Sequence, residues 1–354
     1  MSSEHPRLAG LELTLAANNA DIGGGEVMLL QCAAAAAELG AAITVVGPHA
    51  EGGVLAEARK RGWPTVGLGE SRTDYLRCLG GWDRRRSGLL WAHGLVPALA
   101  TAGHGDRIIH LHQTPRGGAA LAARVALPGA ARVLVPSSYL ASQVPGSEIM
   151  PNWTADYAAP RATRAFEAPV TIGFLGRLSP DKGILELAQA LALIEADRPG
   201  RVRLLLAGEP RFTDPAQASE VADALDACPA PIKRAGWLRP ADFFARVDIA
   251  VIPSRIDESF GLVAAEAMSA RVPLVLTPAG ALPELVGEGH PWMAAGHSPQ
   301  AIADAILNAV DAEQDQRDEV CRRLRSRWET HFSPAAGLAR VDRLLSTVLQ
   351  ARSR

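Results

Sequence analysis

Two successive series of short apolar runs, each run followed by a segment of helical length, constrain this chain more than any other feature. The first series comprises "LAGLELTLAA" (8–17), "AAITVVGP" (41–48), "GLLWAHG" (88–94), "RIIHLHQ" (107–113) and "ARVLVPSS" (131–138). The second comprises "PVTIGFLGR" (169–177), "VRLLLAGE" (202–209), "DIAVIPS" (248–254) and "VPLVLTP" (272–278). Helix-forming segments lie between them, at "GEVMLLQCAAAAAELG" (25–40), "GILELAQALALIEA" (183–196), "PADFFARV" (240–247) and "GLVAAEAMSA" (261–270). Strands separated by helical lengths need crossovers, and crossovers give parallel, doubly wound sheets. The aperiodic, proline-bearing stretch 154–168 reads as the linker between the series. The expectation is an α/β chain of two Rossmann-like domains, residues 1–160 and 168–330. Ligands of such sheets bind at the carboxyl ends of the strands, so a cleft between the two sheets is the expected site.

Composition removes several classes of function. The 354 residues carry Lys+Arg 36 against Asp+Glu 38, without the basic excess of a nucleic-acid binder, and aromatics are only 5%. Hydrophobic residues at 48% and charged residues at 21% suit a chain with a sizeable core. Cys32, Cys78, Cys228 and Cys321 have no metal-knuckle spacing and read as small buried apolar residues of a reduced protein. The start "MSSEHPRLAG" shows no signal peptide, and no apolar run is long enough to span a bilayer, so the expected location is cytoplasmic.

Chemistry concentrates in "PSRIDESFGLVAAEAMSARVPLVLTPAG" (253–280). A strand delivers the chain to a loop holding Glu258, and a helix then starts near Gly261. A helix start offers unpaired N–H groups and partial positive charge, an anion site that Gly261 would leave open to a ligand. Glu266 lies on the second turn within an apolar run, where an unpaired charge is costly. Two carboxylates flanking an anion site suit the hydroxyls of a sugar-bearing phosphate ligand.

This stretch resembles the signature of retaining glycosyltransferases of GT-B architecture, the group called family 4 or glycosyl transferases group 1. The resemblance is carried by Pro253, Ser254, Glu258, Phe260, Gly261, Glu266, Ala267, Pro273, Gly280, Pro283 and Glu284. It implies that Glu258 contacts the donor sugar, that Glu266 holds the ribose, and that backbone amides at Gly261 and Leu262 meet the diphosphate. "GRLSPDKG" is similar to the family's Gly-Arg-Leu…Lys-Gly segment, with Arg177 and Lys182 placed to neutralise a departing nucleoside diphosphate. "KRAGWLRP" resembles its base-binding loop, with Leu238 reading the base and Trp237 expected to pack. The closing helix within 331–354 is implied to cross back to the first domain.

The first half resembles the family more faintly. "DIGGGE" is similar to its Gly-Gly-x-Glu loop, which implies a donor contact for Gly23 and Gly24. "RIIHLHQTPRG" places His112 as a donor-sugar or catalytic residue, while His93 and His110 read as satisfied structural histidines. The chain departs from the family at Ala270-Arg271 and at Asn152-Trp153-Thr154. Arg84, Arg85 and Arg86, beside Trp82 and Trp91, read as a solvated helix end rather than a basic-aromatic membrane patch.

The resemblance implies a hexosyltransferase moving a sugar from a nucleoside-diphosphate sugar to a hydroxyl acceptor with retention. The acceptor is a sugar, a lipid-linked molecule or another small molecule, with no nucleic-acid partner. No Asp-x-Asp occurs in the sequence, so no metal and no other cofactor is expected at the diphosphate. Besides a non-catalytic sugar-binding protein, which would bind donor without releasing nucleoside diphosphate, two other readings remain open. One is a nucleotide-sugar epimerase of the same fold. The other is an NAD-dependent oxidoreductase, although the glycine spacing is not G-x-G-x-x-G.

Overall fold

The computed structural model describes residues 8–49, 51–158, 166–210 and 214–352. Residues 159–165, part of the segment expected as a linker, and residues 1–7 lie outside them. The chain divides into two compact units, Met1–Asn152 with Ala335–Arg354, and Trp153–Pro334.

The first unit holds strands β1 (Glu12–Ala16), β2 (Ala42–Pro48), β3 (Thr65–Leu68), β4 (Leu89–His93), β5 (Arg107–His110), β6 (Arg132–Val135) and β7 (Glu148–Ile149). They form one sheet in the order β3-β2-β1-β4-β5-β6-β7, and every pairing is parallel. The order reverses between β1 and β4, which makes their carboxyl ends the natural place for a ligand. β3 and β7 escape the sequence pattern because they are short edge strands with no buried position.

Arg107, buried at the start of β5, shows how this unit closes its helix ends. Its guanidinium donates to the carbonyls of His104, Ala98, Ala126 and Pro128. Two helices, Leu95–Ala100 and Gly118–Ala126, thus present terminal carbonyls to one buried cation, the favourable pairing for that pole of a helix.

The second unit holds β8 (Val170–Leu175), β9 (Val202–Ala207), β10 (Ile232–Gly236), β11 (Ile249–Ile252) and β12 (Leu274–Leu276). The order is β10-β9-β8-β11-β12, again with only parallel pairs. β8, β11 and β12 are almost wholly buried, which explains why they read as unbroken apolar runs rather than alternating ones. The switch point here falls between β8 and β11. Trp328 donates its indole N–H to Thr154 Oγ1 at 2.8 Å, and Thr154 N–H bonds Phe332 O, so Thr154 is anchored on helix Gln314–His331 and the residue that caps it.

Two sequence expectations about side chains fail, those for Arg86 and Cys78, and the expected absence of a membrane patch around Trp91 agrees with its burial. Arg86 is not solvated. It is an ion-pair partner of buried Asp83 at 2.7 Å and donates to the Gly88 carbonyl. Trp91 is fully buried on β4, so no basic-aromatic patch forms around it. Among the cysteines, Cys32 and Cys321 are buried but Cys78 is exposed. No helix among the described residues is long and apolar enough to cross a membrane.

Candidate active site

In the second unit the loops after β8 and β11 meet at the switch point. After β8 the chain turns through Gly176 and a short 3-10 turn, Pro180–Lys182, into helix Ile184–Asp197. After β11 it runs through Ser254 and Glu258 to helix Leu262–Ala270. Lys182 Nζ lies 2.7 Å from Glu258 Oε1, with the two side chains 25% and 16% exposed. Ser254 Oγ donates to the same carboxylate oxygen at 2.6 Å. Arg177 pairs with Asp181 at 2.6 Å, and Ser179 also donates to Asp181. Arg177, Lys182 and Glu258, distant in sequence, therefore share one edge, and each charge already has a counter-charge.

The backbone beneath is fixed closely. Arg255 and Ile256 donate their N–H groups to Asp181 O, which stitches one loop to the other. Gly183 has φ 74°, and a Cβ there would overlap the Pro253 carbonyl. Gly280 has φ 57° and lies against the backbone of Asp257 and Glu258, while Ala281 N–H bonds Glu258 O at 2.8 Å. Thr277 Oγ1 donates to Ser254 O at 2.7 Å, and His297 Nδ1 lies 3.1 Å from the same oxygen. Ser254 belongs to a recognisable local motif. Nothing local marks His297 as part of this scaffold.

Gly261 caps the next helix at φ 97°. Its missing Cβ does not open space for a ligand, because that atom would fall 2.5 Å from Leu282 Cδ2. The glycine serves a left-handed turn packed against a neighbour. Ala264 and Ala265 return their N–H groups to Gly261 O, which leaves the amides of Gly261 and Leu262 as first-turn donors with no acceptor inside the helix. Glu266 is partly buried on that helix, and desolvation pushes its pKa up to about 8. Leu238 packs against the core of this unit. Trp237 does not pack as expected: it is 64% exposed beyond β10, next to Gly236 at φ 65°.

In the first unit the glycine loop and the histidines come together. Glu26 is buried and takes N–H groups from Asn19 and Gly23, fixing the turn that carries Gly23 and Gly24. Burial holds its carboxyl above the usual range. A Cβ on Gly25 would lie 3.2 Å from His112 Cδ2, so this loop rests against the His112 ring. His112 lies just beyond β5, with its Nε2 3.0 Å from His93 Nδ1. The rings of His110 and His112 are centred 4.2 Å apart, and those of His93 and His112 are stacked at 5.3 Å. His93 and His110 are buried but not satisfied: His93 Nε2 and both nitrogens of His110 have no hydrogen-bond partner. Burial lowers all three pKa values, His112 to about 4, so the rings are neutral at pH 7.

Residues 169–312 match the family model described as Glycosyl transferases group 1. That region lies within the second unit and contains Arg177, Lys182, Glu258, Gly261, Leu262 and Glu266. The chain is 33% identical over 172 residues to the D-inositol 3-phosphate glycosyltransferase of Corynebacterium glutamicum, covering 45% of this chain and 40% of that protein. It is 28% identical over 193 residues to the lipopolysaccharide 1,2-N-acetylglucosaminetransferase of Salmonella typhimurium, covering 52% and 48%. It thus spans less than half the length of these curated relatives. HepE from Anabaena, solved with UDP and glucose, superposes with TM-score 0.80 at 17% identity, covering 96% of this chain and 99% of that one. Sucrose-phosphate synthase from Thermosynechococcus elongatus gives 0.79 at 17%, covering 96% and 100%. The fold, two parallel-sheet α/β units, is that of these GT-B structures.

Proposed function

We propose that the chain is a glycosyltransferase that moves a sugar from a nucleoside-diphosphate sugar to a hydroxyl acceptor with retention at the anomeric carbon. The reading rests on one observation above the others: Lys182 and Glu258 meet at the switch point of the unit that carries the family match, beside a helix start with unsatisfied amides. UDP-sugars are the donors proposed first, because HepE was solved with UDP-glucose.

In this reading the ion pair exchanges partners when donor arrives. Lys182 turns to the diphosphate, Glu258 to the sugar hydroxyls, and Arg177 adds a second cation. As the sugar–oxygen bond lengthens, charge grows on the leaving diphosphate, and the Gly261 and Leu262 amides with the two cations stabilise it. A leaving-phosphate oxygen takes the acceptor proton, so no separate base is needed. Glu266 accepts the ribose hydroxyls, and Leu238 borders the base. Gly23, Gly24 and His112 are assigned to the donor through the resemblance. The diphosphate is held without metal, and a cytoplasmic location belongs to the same proposal. The names of the relatives are those of transferases, which favours transfer over epimerisation or hydride chemistry.

The test is a melting-temperature panel of UDP-, GDP- and ADP-sugars together with NAD, followed by proton NMR of the product formed from the stabilising sugar donor. Stabilisation by one nucleotide class and a product with the donor's anomeric configuration are expected, with turnover indifferent to added Mg²⁺ or Mn²⁺. An inverted product removes the retaining claim. Stabilisation by NAD alone removes the transferase reading.

A further inference from the structure

The carboxyl edge of the first unit contains a cluster that the donor reading does not use. Helix Gly24–Glu38 brings Cys32 up to the ends of β4 and β5, where His93 and His110 lie. All three are buried, with exposures of 0%, 2% and 0%. One ligand-type atom from each lies within 4.8 Å of the others. Ligand atoms bonded to a common zinc at about 2.0–2.3 Å lie about 3.3–3.8 Å apart, so a shift of about an ångström would close the set.

Unmet valence is the second observation. His93 Nε2 and both His110 nitrogens are buried with no hydrogen-bond partner, a costly state for an interior imidazole. His93 Nδ1 is held by His112 Nε2 at 3.0 Å. If Nδ1 carries the proton, His93 presents the lone pair of Nε2, the outer-shell arrangement typical of a metal-bound histidine. Burial also keeps these imidazoles unprotonated. It pushes the Cys32 thiol well above its ordinary value, the charge of Arg340 opposing this only in part, so the thiol gives up its proton to a bound ion rather than to solvent alone.

We propose that Cys32 Sγ, His93 Nε2 and one nitrogen of His110 form a buried site for a borderline-soft divalent metal of the zinc type. Binding replaces the thiol proton of Cys32 with the ion and releases that proton to solvent. A fourth position is left for water. The metal is positional: it fixes the tautomer of His93, and through the shared hydrogen bond it makes His112 an acceptor at Nε2 and a donor at Nδ1. The site is independent of how the diphosphate is held in the second unit.

The experiment uses the full chain, purified natively from zinc-supplemented culture and assayed for metal by plasma mass spectrometry. A parallel sample is refolded with Co²⁺ and its absorption spectrum recorded. About one zinc per chain is expected, together with a thiolate-to-cobalt charge-transfer band. Cys32→Ser and His110→Ala should each lose most of the metal, while Cys78→Ser, altering an exposed cysteine, should keep it. Cys32→Ser preserves volume, and circular dichroism confirms that it folds. The proposal is overturned if the wild-type chain holds only a trace of zinc and shows no charge-transfer band, or if folded Cys32→Ser keeps its full metal content.

Discussion

The two units present the same kind of sheet edge, a parallel switch point, and furnish it in opposite ways. At the β8–β11 edge the candidate side chains are charged, partly exposed and mutually compensated: Lys182 with Glu258, Arg177 with Asp181. At the β1–β4 edge they are neutral and short of partners: His93 and His110, both buried, and the half-buried His112. A compensated pair can trade its internal partner for a ligand group at little net electrostatic cost. An unsatisfied buried imidazole gains from any partner that enters. On the two proposals above, the first edge suits a ligand that comes and goes and the second one that stays.

The largest expected effect tests the charged edge. Glu258→Ala should reduce kcat by about 10²-fold or more, the scale for losing one group aimed at developing charge, while Kd for the nucleoside diphosphate stays unchanged or tightens because Lys182 is released. Steady-state kinetics beside calorimetry decide this, and an unaltered kcat would remove Glu258 from the mechanism. Next come Lys182→Ala and Arg177→Ala, each expected to weaken nucleoside diphosphate binding by about 1.5–3 kcal/mol, as for charge-assisted hydrogen bonds. Wild-type affinity in both would refute the anion site.

Much of the charged edge was legible because its residues lie in two local motifs that also fix the chain's turns. Glu258, Gly261 and Glu266 fall in one apolar-framed stretch, and Arg177 and Lys182 in another. Reasoning from spacing could not see that Lys182 and Glu258 touch, nor that the vacancy at Gly261 faces Leu282. It misjudged Trp237, because an aromatic next to a glycine reads the same whether it packs or stands free. The neutral edge was illegible for a different reason. Residues 32, 93 and 110 are joined only by sheet order, and no pairwise spacing announces them. The strands themselves were readable wherever both faces are buried; β10, with no buried residue, was not, like the edge strands β3 and β7.

Glu266 gives a smaller effect with a defined sign. Its folded pKa, about 8, stands above the ordinary carboxyl value of 4.5. Between those values the unfolded chain has released a proton that the folded chain keeps. Stability from this group is therefore full below pH 4.5 and is lost as pH rises through 8. Urea unfolding at pH 5 and pH 8 should show Glu266→Gln losing part of that decline; identical slopes in mutant and wild type would reject the raised pKa. If the ribose hydroxyls engage the carboxylate, nucleotide binding at pH 7 should also release protons, visible as a buffer-dependent calorimetric enthalpy.

Arg271→Gly should give the smallest change. Arg271 ends helix Leu262–Ala270 at φ 57°, where the resembling family carries glycine. Relief of a left-handed residue, about 1–2 kcal/mol, is offset by the greater freedom of glycine in the unfolded chain, about 0.4–1 kcal/mol. A slight rise in Tm is expected, and a fall would show that the arginine side chain contributes more than its backbone costs.

The stitching of the β8 and β11 loops has a consequence for timing. With Asp181 O bonded to two amides of the opposite loop, and Gly183 seated against Pro253, neither loop can lift without breaking the other. Lys182 and Glu258 are free to swing only from their own Cα atoms. Their change of partner is then a rotamer event of nanoseconds rather than a loop opening of microseconds or longer. Within this unit the backbone is a casting rather than a clasp, and the encounter with a donor is decided by side chains on a surface already set.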